Sequence, residues 1–143
     1  MSELPVEAWR TVVDGSPEGV VVCDATAADC PVVYVNPAFV QLTGYSASAL
    51  IGSNLRILQG TDRQQEGRQR MKEALERGDA CRVLIRNYKP DGTLFWNETL
   101  LQPLRNAEGR LTHWIGYCRD AGGRLKSQER NARGVPALQR QDR

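Results

Sequence analysis

Two groups of side chains in this 143-residue chain are spaced for recognition: cations in one stretch and carboxamides in another. Arg56, Arg63, Arg68 and Lys72 make up the first group. Arg68 and Lys72 are four residues apart, so on a helix they project together. A guanidinium offers a phosphate a two-pronged fork, and an ammonium offers a point charge. Arg63 or Arg70 alone would be explained as well by a solvated helix face. Asn54, Gln59, Asn87 and Asn97 make up the second group. A carboxamide presents a donor and an acceptor together, which suits a polar ligand edge of mixed character. Catalytic patterns are not evident. His113 is the only histidine, with no Ser/His/Asp set, paired-carboxylate site or P-loop around it. A non-enzymatic role is expected.

The four cysteines, Cys23, Cys30, Cys81 and Cys118, are widely spaced and form no Cys-x-x-Cys pair. That argues for reduced thiols over a zinc site or a disulfide framework. A net charge of +2 is too small to point to nucleic acid. With 41% hydrophobic and 25% charged residues the composition is that of a soluble globular domain. No apolar run reaches membrane-spanning length, and the first residues lack a signal-type core. A cytoplasmic protein without a membrane partner is expected.

The elements that must position these groups follow from local pattern. Leu4, Trp9, Val12 and Val13 recur at helical spacing and predict a short N-terminal helix, ended by Asp14-Gly15-Ser16-Pro17. Gly19 to Cys23 and Val32 to Val35 read as strands. Asn36-Pro37 opens a helix through Leu42, and Ser46 caps another that runs to Ile51. Asp62 is expected to cap the longest helix, with Gln65 at the capping-box position. Gly67, Met71, Ala74 and Leu75 form its inward stripe. Strands follow from Cys81 to Lys89, Thr93 to Leu104 and Arg110 to Arg119. The first two are joined at Pro90-Asp91-Gly92, a strong turn signal. Asn87 and Asn97 lie five residues either side of Gly92, so a simple hairpin register sets them opposite each other. The order predicts an α+β fold, a five-stranded antiparallel sheet with short helices on one face. The expected division is an N-terminal flanking helix at 1–15, a core at 16–120 and a basic tail at 121–143, partly helical or disordered. Residues 119–143 carry seven Lys/Arg against three Asp/Glu, as a solvated tail would.

Residues 52–60 read Gly-Ser-Asn-Leu-Arg-Ile-Leu-Gln-Gly, and residues 86–98 read Arg-Asn-Tyr-Lys-Pro-Asp-Gly-Thr-Leu-Phe-Trp-Asn-Glu. The first run resembles the signature Gly-x-Asn-Cys-Arg-Phe-Leu-Gln-Gly of LOV (light-oxygen-voltage) domains, the flavin-binding blue-light branch of the PAS family. The second resembles the family pattern Arg-Asn-Tyr-Lys-x-Asp-Gly-x-x-Phe-Trp-Asn-Glu. The resemblance covers roughly residues 16–120. It implies the PAS/LOV fold and bound FMN. In the family a cysteine thiol attacks the photoexcited flavin and forms a reversible adduct. Leu55 occupies that position here and has no nucleophile. Cys118 replaces a glutamine that hydrogen-bonds the flavin near its reactive nitrogen, and Ile57 replaces a phenylalanine.

By the same resemblance, Arg56 and Lys72 match phosphate-binding arginines. Arg63 and Arg68 match further arginines of some bacterial short LOV proteins. Asn87 and Asn97 match the pair that holds the pyrimidine end of the ring, and Asn54 and Gln59 lie near the ribityl chain. Strand alternation then fixes the apolar slot. Val83 and Ile85 share a face with Asn87, Thr99 and Leu101 with Asn97, and Trp114, Gly116 and Cys118 line up on the last strand. Val21 and Cys23 of the first strand join them, and Leu55, Leu58, Met71 and Leu75 close the helical side. Trp114 could donate an electron to an excited flavin or be a plain core aromatic. The reading is a blue-light-absorbing, fluorescent FMN domain without an adduct photocycle, serving light- or redox-linked signalling. A homodimer through flanking helices and sheet face, and an effector protein in trans, are implied. A second reading is a PAS-type dimerisation or interaction domain without flavin. It predicts a colourless protein, and buried amides without partners would be costly in it.

Overall fold

The computed structural model describes residues 6–122. Five strands rich in β-branched and aromatic residues form one antiparallel sheet: β1 (Gly19–Asp24), β2 (Val32–Val35), β3 (Cys81–Tyr88), β4 (Leu94–Arg105) and β5 (Leu111–Asp120). Their spatial order is β2-β1-β5-β4-β3. The first and last strands of the chain are therefore neighbours near the centre of the sheet. The helices α2 (Pro37–Thr43), α3 (Ala47–Leu50) and α4 (Glu66–Arg77) and a 3-10 helix (Leu55–Gln59) lie between β2 and β3 in sequence. They contribute Phe39, Leu50 and Leu58 to the core against Val21, Cys23 and Cys118 of the sheet. This is the α+β architecture expected.

The start of α2 is a junction. Asn36 is fully buried and caps the helix by accepting from the Phe39 N–H at 2.9 Å. The same oxygen accepts from the Val20 N–H at 2.8 Å. Its amide nitrogen donates to the Val13 and Glu18 carbonyls at 2.9 and 3.0 Å. One side chain thus ties α2 and β1 to the end of α1 (Val6–Asp14). On α1, Trp9 is 56% and Val12 61% exposed. Leu4 and the basic tail beyond residue 122 lie outside the described residues.

Two expectations fail for identifiable reasons. Asn87 does not face Asn97. Asn87 pairs with Phe95, and Asn97 with Ile85. The turn is centred on Asp91, because the Lys89 N–H donates to Thr93 O at 2.9 Å and the Gly92 N–H to Lys89 O at 2.8 Å. That is a three-residue loop with Gly92 at φ +88°, where a Cβ would be strained. The two asparagines still share a face, one step apart on the diagonal. Nor does Asp62 cap α4. The helix begins at Glu66, with Gln65 at the N-cap making no capping bond. The Asp62 carboxylate is taken by Arg86 at 2.6 and 2.9 Å and by the Tyr88 hydroxyl at 2.6 Å. An ion pair reinforced by two further hydrogen bonds outcompetes a single capping bond. Gln65 instead stitches the helix start to the edge strand. It accepts from the Arg86 N–H at 2.7 Å and donates to Arg86 O at 3.0 Å, covering backbone groups that an edge would leave bare.

Helix α4 lies unusually close to the sheet. A Cβ on Gly67 would stand 2.4 Å from the Leu84 carbonyl oxygen and 2.8 Å from Ile85 Cδ1. Only glycine permits this approach.

Candidate functional site

Between the sheet and the helices lies a cavity of about 320 Å³, within the range of small-molecule sites. The sheet supplies Val21 and Cys23, Ile85 and Asn87, Asn97, Thr99 and Leu101, and Trp114, Gly116 and Cys118. From the helical side come Asn54, Leu55, Arg56, Leu58 and Gln59, then Arg68, Met71, Lys72 and Leu75. Of the residues expected from the sequence, Val83 does not line it, being buried in the core of the sheet, and neither does Arg63. Its Nε donates to Gly60 O at 2.7 Å, closing the loop before α4. Three lining residues were not anticipated: Cys30, Phe39 and Glu76. Cys30 sits in an irregular loop where no periodicity applies. Phe39 and Glu76 are at helix positions that read as core and as solvent-facing.

The polar groups divide by state. Asn97 donates to the Asn87 side-chain oxygen at 2.9 Å, and Asn87 donates to Arg86 O at 3.0 Å. Among the described residues two acceptors remain buried without a partner, Gln59 Oε1 and Asn97 Oδ1. Leaving such an atom unpaired costs about 1–3 kcal/mol. Asn54 is already committed at both ends of its amide. It caps the 3-10 helix by accepting from the Arg56 N–H at 2.8 Å and donates to Asp29 O at 2.7 Å. Arg56 pairs with the Asp29 carboxylate at 2.7 Å, with both side chains well exposed. That pairing raises the Arg56 pKa and lowers that of Asp29. With Arg68 and Lys72, Arg56 forms the cationic part of the lining.

The Cys118 thiol lies 3.7 Å from the Thr99 hydroxyl. Burial pushes its pKa up to about 11, so it stays protonated at neutral pH. Leu55 presents only hydrocarbon on the opposite wall. His113 lies outside the lining, its Nδ1 3.0 Å from the Thr112 hydroxyl. Among the described residues no cluster of His, Cys, Asp and Glu could hold a metal. No helix among them is long and apolar enough to cross a membrane. The site can therefore bind, orient and insulate a ligand. Its lining holds no histidine, and its thiols are those of Cys23, Cys30 and Cys118.

Comparison with known proteins agrees with this geometry. A family model described as a PAS domain matches residues 17–121. The LOV domain of a blue-light-activated histidine kinase from Erythrobacter litoralis superposes with a TM-score of 0.69 at 34% identity, over 73% of this chain and 96% of that one. An RNA-binding Light-Oxygen-Voltage receptor gives a TM-score of 0.83 at 38% identity, over 90% of this chain and 38% of that one. Blue-light-activated histidine kinase 2 of Erythrobacter litoralis is 34% identical over 122 residues, 85% of this chain and 34% of the kinase. The chain thus spans a fifth to a third of the first curated relatives it matches.

Proposed function

Because this chain belongs to the PAS family, in its LOV group of sensory domains, we propose that the cavity holds FMN and that the domain signals without a cysteinyl adduct. The observation that carries this reading is the pair of unpartnered acceptors, Gln59 Oε1 and Asn97 Oδ1. Native interiors rarely tolerate such atoms, so a ligand with a ring N–H for Asn97 at its polar edge and a chain hydroxyl for Gln59 fits them. Asn87 would hold the same edge of the ring. Arg56, Arg68 and Lys72 would receive the phosphate, Arg56 by exchanging its exposed Asp29 partner for it. Ile85, Leu101, Leu58 and Met71 would sandwich the ring and exclude water. When bound, FMN would supply a reducible chromophore that absorbs blue light and emits green.

The chain's own residues decide the fate of the excited state. Leu55 offers no sulfur. The Cys118 thiol is protonated and hydrogen-bonded within the wall, so it is held as a small apolar group. Output then depends on the redox state of the cofactor and passes to a separate protein partner, with the flanking helix and outer sheet face forming a homodimer. A net charge of +2 favours protein over nucleic acid as that partner.

An absorption and emission spectrum of the purified chain, before, during and after blue illumination, tests the reading. Yellow, green-fluorescent material that releases FMN on denaturation and does not bleach reversibly is expected. Colourless protein that also refuses added FMN would refute it.

A further inference from the structure

Two of the four cysteines meet at the rim of the cavity, although they stand seven positions apart in the chain. Cys23 lies on β1 at the register shift where Val22 pairs with Tyr34 but Cys23 pairs with Val32. The loop after β1 doubles back, and the Asp24 N–H donates to Pro31 O at 2.9 Å. That return packs Cys30 against the core cluster that holds Cys23, and both line the cavity. Cys23 is buried, and Cys30 is half-exposed.

The backbone is bent to make this contact. Among the described residues, Asp29 and Cys30 are the non-glycine positions with positive φ, at 66° and 47°. Side chains on such a backbone are strained, because the Cβ crowds the following carbonyl. Three bonds hold the bend. Cys30 N–H donates to Ala27 O at 3.2 Å, Asn54 donates to Asp29 O at 2.7 Å, and Arg56 holds the Asp29 carboxylate at 2.7 Å. A glycine would adopt the same backbone without strain but would bring no sulfur to Cys23.

We propose that Cys23 and Cys30 form a reversible disulfide in response to a hydroperoxide, making the rim of the cavity a redox-responsive site. The two thiols differ in the way the reaction needs. Cys30 reaches solvent, and the neighbouring Cys23 thiol holds its pKa below the ordinary value, which favours its thiolate. Cys23 lies beside Cys30 and is buried, which raises its pKa and keeps it protonated until it resolves the intermediate. The Cys30 thiolate attacks a peroxide oxygen. The O–O bond breaks, the departing oxygen takes a proton as water or alcohol, and Cys30 becomes a sulfenic acid. The Cys23 thiol then attacks that sulfur, and its proton leaves with the hydroxyl as water. Two thiols lose two electrons, and the peroxide gains them. The sulfurs close to the S–S separation of about 2 Å. The new bond would lock the loop whose Asp29 anchors Asn54 and Arg56. This site does not depend on the flavin reading.

Trypsin makes the test direct, because no lysine or arginine lies between Arg10 and Arg56. Both cysteines are released in one peptide. The full chain is treated with hydrogen peroxide, quenched with catalase, alkylated under denaturing conditions and digested without reductant. The expected result is loss of two of the four alkylatable thiols, both from that peptide, which carries an internal disulfide. Dithiothreitol restores both thiols, and Cys81 and Cys118 alkylate fully throughout. In Cys30→Ser the peptide keeps an alkylatable Cys23 under the same dose. If Cys30→Ser does not fold, the parent digest with and without dithiothreitol decides alone. All four thiols remaining free would overturn the proposal. So would oxidation of Cys30 to the sulfinic acid without a disulfide, or oxidation at Cys81 first.

Discussion

Replacing Gln59 by leucine separates a ligand-binding glutamine from a structural one by the sign of its effect. Gln59 is 7% exposed, and its Oε1 has no partner. In the ligand-free chain that buried acceptor is a net cost of about 1–3 kcal/mol. Leucine is close in volume, has no acceptor and has similar helix propensity. Ligand-free Gln59→Leu should therefore be more stable than the parent by about 1–2 kcal/mol, or roughly 4–8 °C in Tm for a chain of this size. With FMN the balance reverses. One hydrogen bond is lost, and a ligand hydroxyl is left facing hydrocarbon, so affinity should fall by roughly 5- to 30-fold. Thermal unfolding of flavin-stripped parent and variant gives the first number, and quenching of FMN emission on titration gives the second. A variant less stable than the parent without ligand would show that Gln59 serves the fold. Higher stability with unchanged affinity would show that its oxygen does not meet the cofactor.

Other perturbations probe the helix packing, the acid-sensitive ion pair and the missing thiol. Gly67→Ala gains about 1 kcal/mol in helix propensity but forces α4 off the Leu84 carbonyl, an overpacking cost of about 1–3 kcal/mol. Urea unfolding should show net destabilisation, and FMN affinity should drop because Ile85 moves with the contact; a stabilised variant would refute the close approach. The Arg86 and then the Tyr88 hydrogen bonds pull the Asp62 carboxyl down from 3.8 to about 2. Its contribution is complete above the unfolded value and fades as pH falls from about 4 toward 2, by about 1–2 kcal/mol after allowing for partial exposure. Asp62→Asn should lose that slope in acid unfolding, and an unchanged slope would show that other carboxyls set it. Leu55→Cys should introduce reversible bleaching of the blue absorption band. An FMN-loaded variant that does not bleach would place position 55 away from the reactive carbon.

Much of the fold was legible in the sequence, because its signals are local. The Ser46 and Asn36 caps, the Pro90-Asp91-Gly92 turn and the alternation through Val83, Ile85 and Asn87 each depend on a few neighbouring residues. Where expectation failed, a distant partner decided. Asp62 left α4 for Arg86 and Tyr88, which lie on another element. The hairpin register turned on which of three turn residues sits at the centre, and a one-residue change there moves every cross-strand pair by two. Arg63 shares its charge with Arg56 and Arg68 but is retained by a neighbouring carbonyl. Cys30 belongs to a loop whose path is set by contacts with Asn54 and Arg56, so no pattern in residues 24–31 could place it beside Cys23.

The fully buried Asn36 also couples parts of the chain that lie far apart. All four hydrogen-bonding positions of its carboxamide are occupied, and one of them reaches the last turn of α1. Peeling α1 away would strip an amide hydrogen of its acceptor at the point where β1 and α2 are also secured. The N-terminal segment is therefore mechanically geared to the centre of the sheet. A shift in strand β1, which carries two residues of the cavity wall, reaches the surface of α1 through a single inextensible link.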